Sequence, residues 1–196
     1  MAGKKQFDTD TALDAAMIQF WRAGYADTSV DDLSRATGLN RSSIYSSLGD
    51  KDTLFLRCLD RYAARYGGQY DAALSSAASD PLAAVRAFFD VTLDRIADPA
   101  LPDGCLVAQS AMAIPVLSPA VAAHASQALG LQRLRLRAAL KAGRMTDQDA
   151  EAFAVHAAAV NQSLAVMSRG GASPAQLRAV VDVTLDALSQ ALRPRR

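Results

Sequence analysis

Arg41, Ser42, Ser43, Tyr45 and Ser46 fall at the start of a short predicted helix, directly after Thr37-Gly38-Leu39-Asn40. These types suit recognition rather than bond making. An arginine fork can donate bidentately to a guanine edge or to a phosphate. The serines can serve phosphates or bases, and Tyr45 offers a ring and a hydroxyl that reaches a phosphate. Ile44 and Leu48 are placed to anchor the helix from beneath. Lys51, in the first turn of the next helix, puts a charge where backbone N–H groups also favour an anion. Read by spacing alone, the pattern equally fits a surface helix pair without a ligand.

A second set of reactive types lies further along. Cys105 follows the breaker Pro102-Asp103-Gly104 at the start of a predicted helix, where a thiolate is favoured. Asp103 works against that ionisation, and a free cysteine also serves as a small buried hydrophobe. Cys58, among Phe55, Leu56 and Leu59, reads as core. Cys105 with His124 or His156 is the one nucleophile-and-base pairing on offer. No serine elbow, phosphate loop or metal cluster accompanies it. No catalytic residue, metal or cofactor is therefore assigned. Tyr62, Tyr66 and Tyr70 recur every four residues, as a cavity face or as packing. Met112 and His124 are further candidates for a small-molecule pocket.

These residues need elements to hold them. The chain has 196 residues, 51% apolar, with 21 Lys and Arg against 20 Asp and Glu. That length suits one or two small domains with a real core. Two cysteines and two histidines exclude a disulfide framework and a multi-ligand zinc site. No apolar run approaches the roughly 18 residues of a membrane span, and no apolar segment follows the charged N-terminus as a signal peptide requires. A cytoplasmic protein is expected. Forty-one alanines, and no strand-length alternation, predict an all-α chain. Gly24, Thr37-Gly38, Asn40, Asp50 and the prolines divide it into helices near 9–23, 29–37, 41–47, 51–75, 81–97, 104–113, 119–142, 146–169 and 174–192. Gly67-Gly68, inside the fourth, suggests a kink, a break or a close-packing site. The pair of short helices around Gly38 is the helix-turn-helix pattern, whose second helix enters the DNA major groove by its N-terminal residues.

Residues 9–56 resemble the tetracycline-repressor (TetR) family of transcriptional regulators. The resemblance rests on Leu13-Asp14-Ala15-Ala16, Phe20, Gly24-Tyr25, Thr28-Ser29-Val30, Leu33, Ala36-Thr37-Gly38-Leu39, Ser43-Ile44-Tyr45 and Leu48-Gly49-Asp50-Lys51-Asp52-Thr53-Leu54-Phe55. It implies a nine-helix architecture with a DNA-binding domain over 1–50 and a ligand-binding and dimerisation domain over 51–196. It implies DNA contacts from Thr28, Ser29, Ser43, Tyr45 and Lys51, with Arg41, Ser42 and Ser46 beside them. It also implies a homodimer on double-stranded operator DNA, joined through the last two helices. Val155 and the stripe Leu177, Val181, Leu185 and Leu188 are assigned to that interface. A small-molecule inducer is implied among helices four to seven, with Cys105, Tyr62, Tyr66, Met112 and His124 as candidate contacts. Gly104-Cys105-Leu106 is similar to a subgroup of the family, some of whose members sense electrophiles or oxidants through that cysteine. Ser46 and Ser47 depart from the usual histidine or aromatic pair, and Leu48 from the usual phenylalanine. These departures alter operator preference.

Charge runs against this reading. Residues 1–66 hold nine basic and nine acidic side chains, without the strongly basic footprint of many nucleic-acid binders. Helix N-termini and a Lys4-Lys5 arm reduce the conflict. Few neutralised phosphates, hence a shallow salt dependence, are expected. The alternative is a helical small-molecule carrier that does not bind DNA specifically.

Overall fold

The computed structural model describes residues 8–77, 79–142 and 145–193; Lys4 and Lys5 lie outside them. Among the described residues there are nine α-helices and no strand. They are α1 (Thr9–Ala23), α2 (Val30–Thr37), α3 (Arg41–Leu48), α4 (Lys51–Ser76), α5 (Pro81–Ala97), α6 (Leu106–Met112), α7 (Pro119–Ala142), α8 (Asp147–Arg169) and α9 (Pro174–Ala191). A 3-10 turn, Ile114–Val116, follows α6. No described helix is long and apolar enough to cross a membrane.

The local chemistry explains the boundaries. Asp8, Ser29, Asn40, Asp50, Asp80, Thr146 and Ser173 each precede a helix and accept from one of its first free N–H groups. Each such cap stabilises its helix by about 1 kcal/mol. Ser29 and Asp32 close a reciprocal capping box. Pro81, Pro119 and Pro174 open their helices, where the missing N–H costs nothing.

The long α4 joins the two halves. It packs on α1 at one end and on α5 and α7 further along. Phe20 and Trp21 of α1 are fully buried, and the Phe20 ring meets Phe55 edge-on at 4.7 Å. Each such aromatic removed from water contributes roughly 1.5–3 kcal/mol. In the second half, α5 packs on α9, and α8 on α7 and α9. A buried polar chain ties four of these helices. Tyr70 meets Thr92 at 2.8 Å, Thr92 donates to Asn161 at 2.5 Å, and Asn161 donates to Gln132 at 3.1 Å. Every member has a partner, which is the condition for a buried polar group to be tolerated.

The structure decides one open alternative and corrects one expectation. Helix α4 runs unbroken through Gly67-Gly68. Gly67 provides close packing: a Cβ there would lie 2.8 Å from the Arg135 guanidinium, which itself pairs with Asp71 at 2.7 Å. The stripe Leu177, Val181, Leu185 and Leu188 is interior, at most 2% exposed. It faces the chain's own α5 and α8, so no second subunit can cover it. Outward apolar residues include Val155, Ala159 and Val166 on α8 and Ala179, Val183 and Ala187 on α9. Of the residues assigned to a dimer interface, only Val155 lies on this surface.

Candidate functional site

Helices α2 and α3 are joined by Gly38, Leu39 and Asn40. Gly38 takes the left-handed conformation (φ 71°) that a side chain there would strain. Leu33, Ile44 and Leu48 are buried and fix α3 against the body. That leaves Arg41, Ser42, Tyr45 and Ser46 exposed together along the outer face of α3. Tyr45 is 52% exposed, a large aromatic held in solvent. Ser43 is half-buried, and its N–H donates to the Asn40 cap at 2.8 Å.

Several charges near this face already have partners. Arg41 donates through Nε and Nη2 to both Asp31 oxygens, at 2.7 and 2.5 Å. That hydrogen bonding holds the Asp31 carboxyl below its ordinary range. Arg35 pairs with Asp32, and Arg61 with Asp14 and Asp10 at 2.6 and 2.9 Å. Lys51 lies 4.3 Å above the Tyr25 ring, and partial burial pushes its ammonium down. The Tyr25 hydroxyl donates to Asp52. Partial burial, then that bond, pushes the phenol up to about 12.

Thr28 does not belong to this surface. It is fully buried, and its hydroxyl donates to the Gly24 carbonyl at 2.6 Å. Ser29 is exposed, but its hydroxyl serves Asp32 in the capping box. Two participants escaped sequence reasoning: Asp31 as the partner of Arg41, and Arg169 described below. Asp31 carried a weak local signal, since a carboxylate in the first turn of a helix is usual.

The other candidates separate into two places. Cys105 is the residue before α6, not within its first turn, and it makes no cap bond. Its sulfur accepts from the Tyr62 hydroxyl at 3.3 Å. It also lines a cleft of about 230 Å³ with Gly104, Ala108, Gln109, Met112 and Arg169. Tyr62 and Tyr66 are buried beside it against Trp21, with ring centroids 5.1 and 6.0 Å from the indole. His124 stands apart, with Nε2 2.8 Å from Asp60 on the surface of α4. The Cys105–His124 dyad is therefore not formed, and His156 is exposed on α8. Cys58 is fully buried, and burial pushes its thiol up to about 12.

Arg169 closes the gap between the two halves. Its Nη2 donates to the Arg22 carbonyl at 2.9 Å and its Nη1 to Gln109 at 2.8 Å. Gln109 in turn approaches Gly24 so closely that a Cβ there would lie 2.9 Å from its Nε2.

Comparisons with known proteins agree with this layout. Residues 12–58 match the family model described as "Bacterial regulatory proteins, tetR family". Residues 81–184 match "Tetracyclin repressor-like, C-terminal domain". The chain is 28% identical over 186 residues to the HTH-type transcriptional repressor ComR of Escherichia coli (strain K12), covering 92% of this chain and 89% of that one. Among solved structures it is similar to a cysteine-substituted form of the TetR family transcriptional regulator CifR, complexed with 26-bp double-strand operator DNA. The TM-score is 0.83 and the identity 30%, over 93% of this chain and 97% of that one. A TetR family regulator from Agrobacterium tumefaciens gives a TM-score of 0.79 at 26% identity, over 91% and 95%. These relatives are regulators, not enzymes. The chain belongs to the TetR family of bacterial regulatory proteins.

Proposed function

We propose that the protein is a repressor that binds a pseudo-palindromic operator as a homodimer and is released by a small molecule. The observation that carries this reading is the outer face of α3: Arg41, Ser42, Tyr45 and Ser46 exposed on a helix fixed from beneath. A second, recognition helix of this kind reads base edges from its first turns. The operator complex of CifR supports the assignment by similarity. The reading head is α1 to α3, within residues 1–50, and residues 51–196 carry ligand binding and dimerisation. The second copy covers the outward Val155, Ala159, Val166, Ala179, Val183 and Ala187. Half-sites about 34–36 Å apart then set the operator period.

Release follows when a ligand binds better to the form that does not fit DNA. The cleft beside Cys105 supplies an entry, and an electrophile that reaches this thiol is one inducer class it suits. The test is a gel-shift titration on the chain's own upstream intergenic DNA, against unrelated DNA of equal length, with and without a maleimide. A specific shift supports the repressor. Its loss on treatment, and its retention in Cys105→Ser, supports thiol sensing. Absence of a specific shift at every salt concentration favours the carrier, the reading for which the neutral head argues.

A further inference from the structure

Arg95 is a cation without a counter-ion in the interior. It is 5% exposed, on the face of α5 that also carries Phe88 and Thr92. Among the described residues no carboxylate pairs with it, and its one hydrogen bond goes from Nη1 to the Gly104 carbonyl. Its Nε has no partner. The guanidinium lies 5.6 Å from the Trp21 ring centroid and 5.7 Å from that of Tyr66. Trp21 Nε1 and the Tyr66 hydroxyl are likewise buried and unpartnered. Burial pushes the Tyr62 and Tyr66 phenols up, so both hydroxyls keep their protons as donors. Several donors and one positive charge thus gather where acceptors are lacking. A buried charge is normally paired, and buried polar groups normally find partners.

We infer that Arg95 is the recognition residue of an anion site, and that its ligand is a small organic monocarboxylate. The guanidinium fork matches a carboxylate bidentately, and Arg169, the other cation of the cleft, already donates to Gln109 and to the Trp21 and Arg22 carbonyls, so one charge is left to answer. The Ala108, Met112 and Val166 side chains of the cleft ask for an apolar body. A cleft of about 230 Å³ is smaller than the roughly 300–1,000 Å³ used by drug-sized ligands, so that body is short. Gly104 and Cys105 belong to both places: they line the cleft, and they hold the bonds made by Arg95 and Tyr62. A carboxylate arriving from the cleft replaces the Gly104 carbonyl on Arg95. Because Trp21 belongs to α1, occupancy bears directly on the reading head. This names the ligand class for the release step above and rests on that reading.

Trp21 is the sole tryptophan, so its fluorescence reports on the site. The full chain is titrated at fixed ionic strength with propionate, butyrate and benzoate, and with the three corresponding amides. At least one carboxylate is expected to give a saturable change, at least tenfold tighter than its amide. At about 100 times its Kd it raises Tm by roughly 5–11 °C. Arg95→Met loses this preference while its own Tm stays at or above that of the parent, because no unpaired charge is left inside. If Arg95→Met does not fold, Arg95→Lys keeps the charge without the fork and weakens the carboxylate tenfold or more. Carboxylates indistinguishable from amides, or an Arg95→Met protein that still prefers carboxylates, overturn the site and leave Arg95 a structural cation. Gel shifts run in parallel separate the two readings. A bound carboxylate that fails to release DNA overturns the release step and keeps the site.

Discussion

The Arg169 guanidinium, at the end of α8, donates to the Trp21 carbonyl at 3.3 Å across a separation of 148 positions. With its bond to the Arg22 carbonyl it caps the C-terminus of α1. The last carbonyls of a helix lack partners and favour a cation. One side chain of the second half therefore holds the helix on which the reading head is built. Arg169→Met should cost about 1–2 kcal/mol. Thermal unfolding at fixed protein concentration should show Tm lower by roughly 2–8 °C, together with weaker operator binding. An unchanged Tm would mean that α8 does not brace α1.

The Arg41–Asp31 pair sets an internal carboxylate against DNA under the proposal that Arg41 is a contact residue. Arg41→Ala should lose about 1–3 kcal/mol of binding if Arg41 reads a base. Asp31→Ala should do the opposite. It frees Arg41, tightens binding roughly 3–10-fold, and steepens the salt dependence by about one phosphate charge. The same change removes an acid from the first turn of α2 and so lowers stability slightly. Tighter binding from a less stable protein distinguishes competition from a general loss of structure. Gel shifts at two salt concentrations, with a melting curve, give both numbers.

Helix α9 offers two apolar faces, and substitution separates them. Val183 is 71% exposed and Leu185 only 2%. Val183→Glu should leave the fold intact and yield a monomer by light scattering. Leu185→Ala should instead cost about 2–5 kcal/mol through a cavity. A Val183→Glu protein that remains a dimer would move the interface elsewhere.

Asp14 of α1 is held below its ordinary pKa by the hydrogen bond from Arg61 of α4. A depressed folded pKa means that the pair stabilises above the ordinary aspartate pKa, near 3.8, and that this is lost as pH falls through the lower folded value. Melting curves between pH 5 and 3 should therefore fall less steeply for Asp14→Asn than for the parent. Parallel curves would show that the pair contributes nothing to α1 docking.

Most element boundaries were legible because they are written in caps and breakers. Ser29, Asn40 and Asp50 act within three residues of themselves, which a linear reading can follow. Faces were legible, but their partners were not. The period of Leu177, Val181, Leu185 and Leu188 marks an apolar side without saying whether α5 or another subunit meets it. The family resemblance set Thr28 among the DNA contacts, yet threonine also back-bonds within the chain, here to Gly24. Arg95 follows Phe88 and Thr92 at helical spacing, so its inward position was readable, but arginine is seldom buried and its type argued the other way. Arg169 on Trp21 is set by tertiary packing and left no local mark.

The self-paired charges of the head, Arg35 with Asp32 and Arg41 with Asp31, also bear on how such a regulator spends its time in a cell. Bulk chromosome is a vast reservoir of phosphate that holds basic proteins without regard to sequence. A head in which Arg35 and Arg41 are already occupied is less firmly retained there, and exchanges these internal partners for DNA only where base contacts reward the swap. More of a small population then remains unbound and able to search, and a modest number of copies suffices to keep one operator filled.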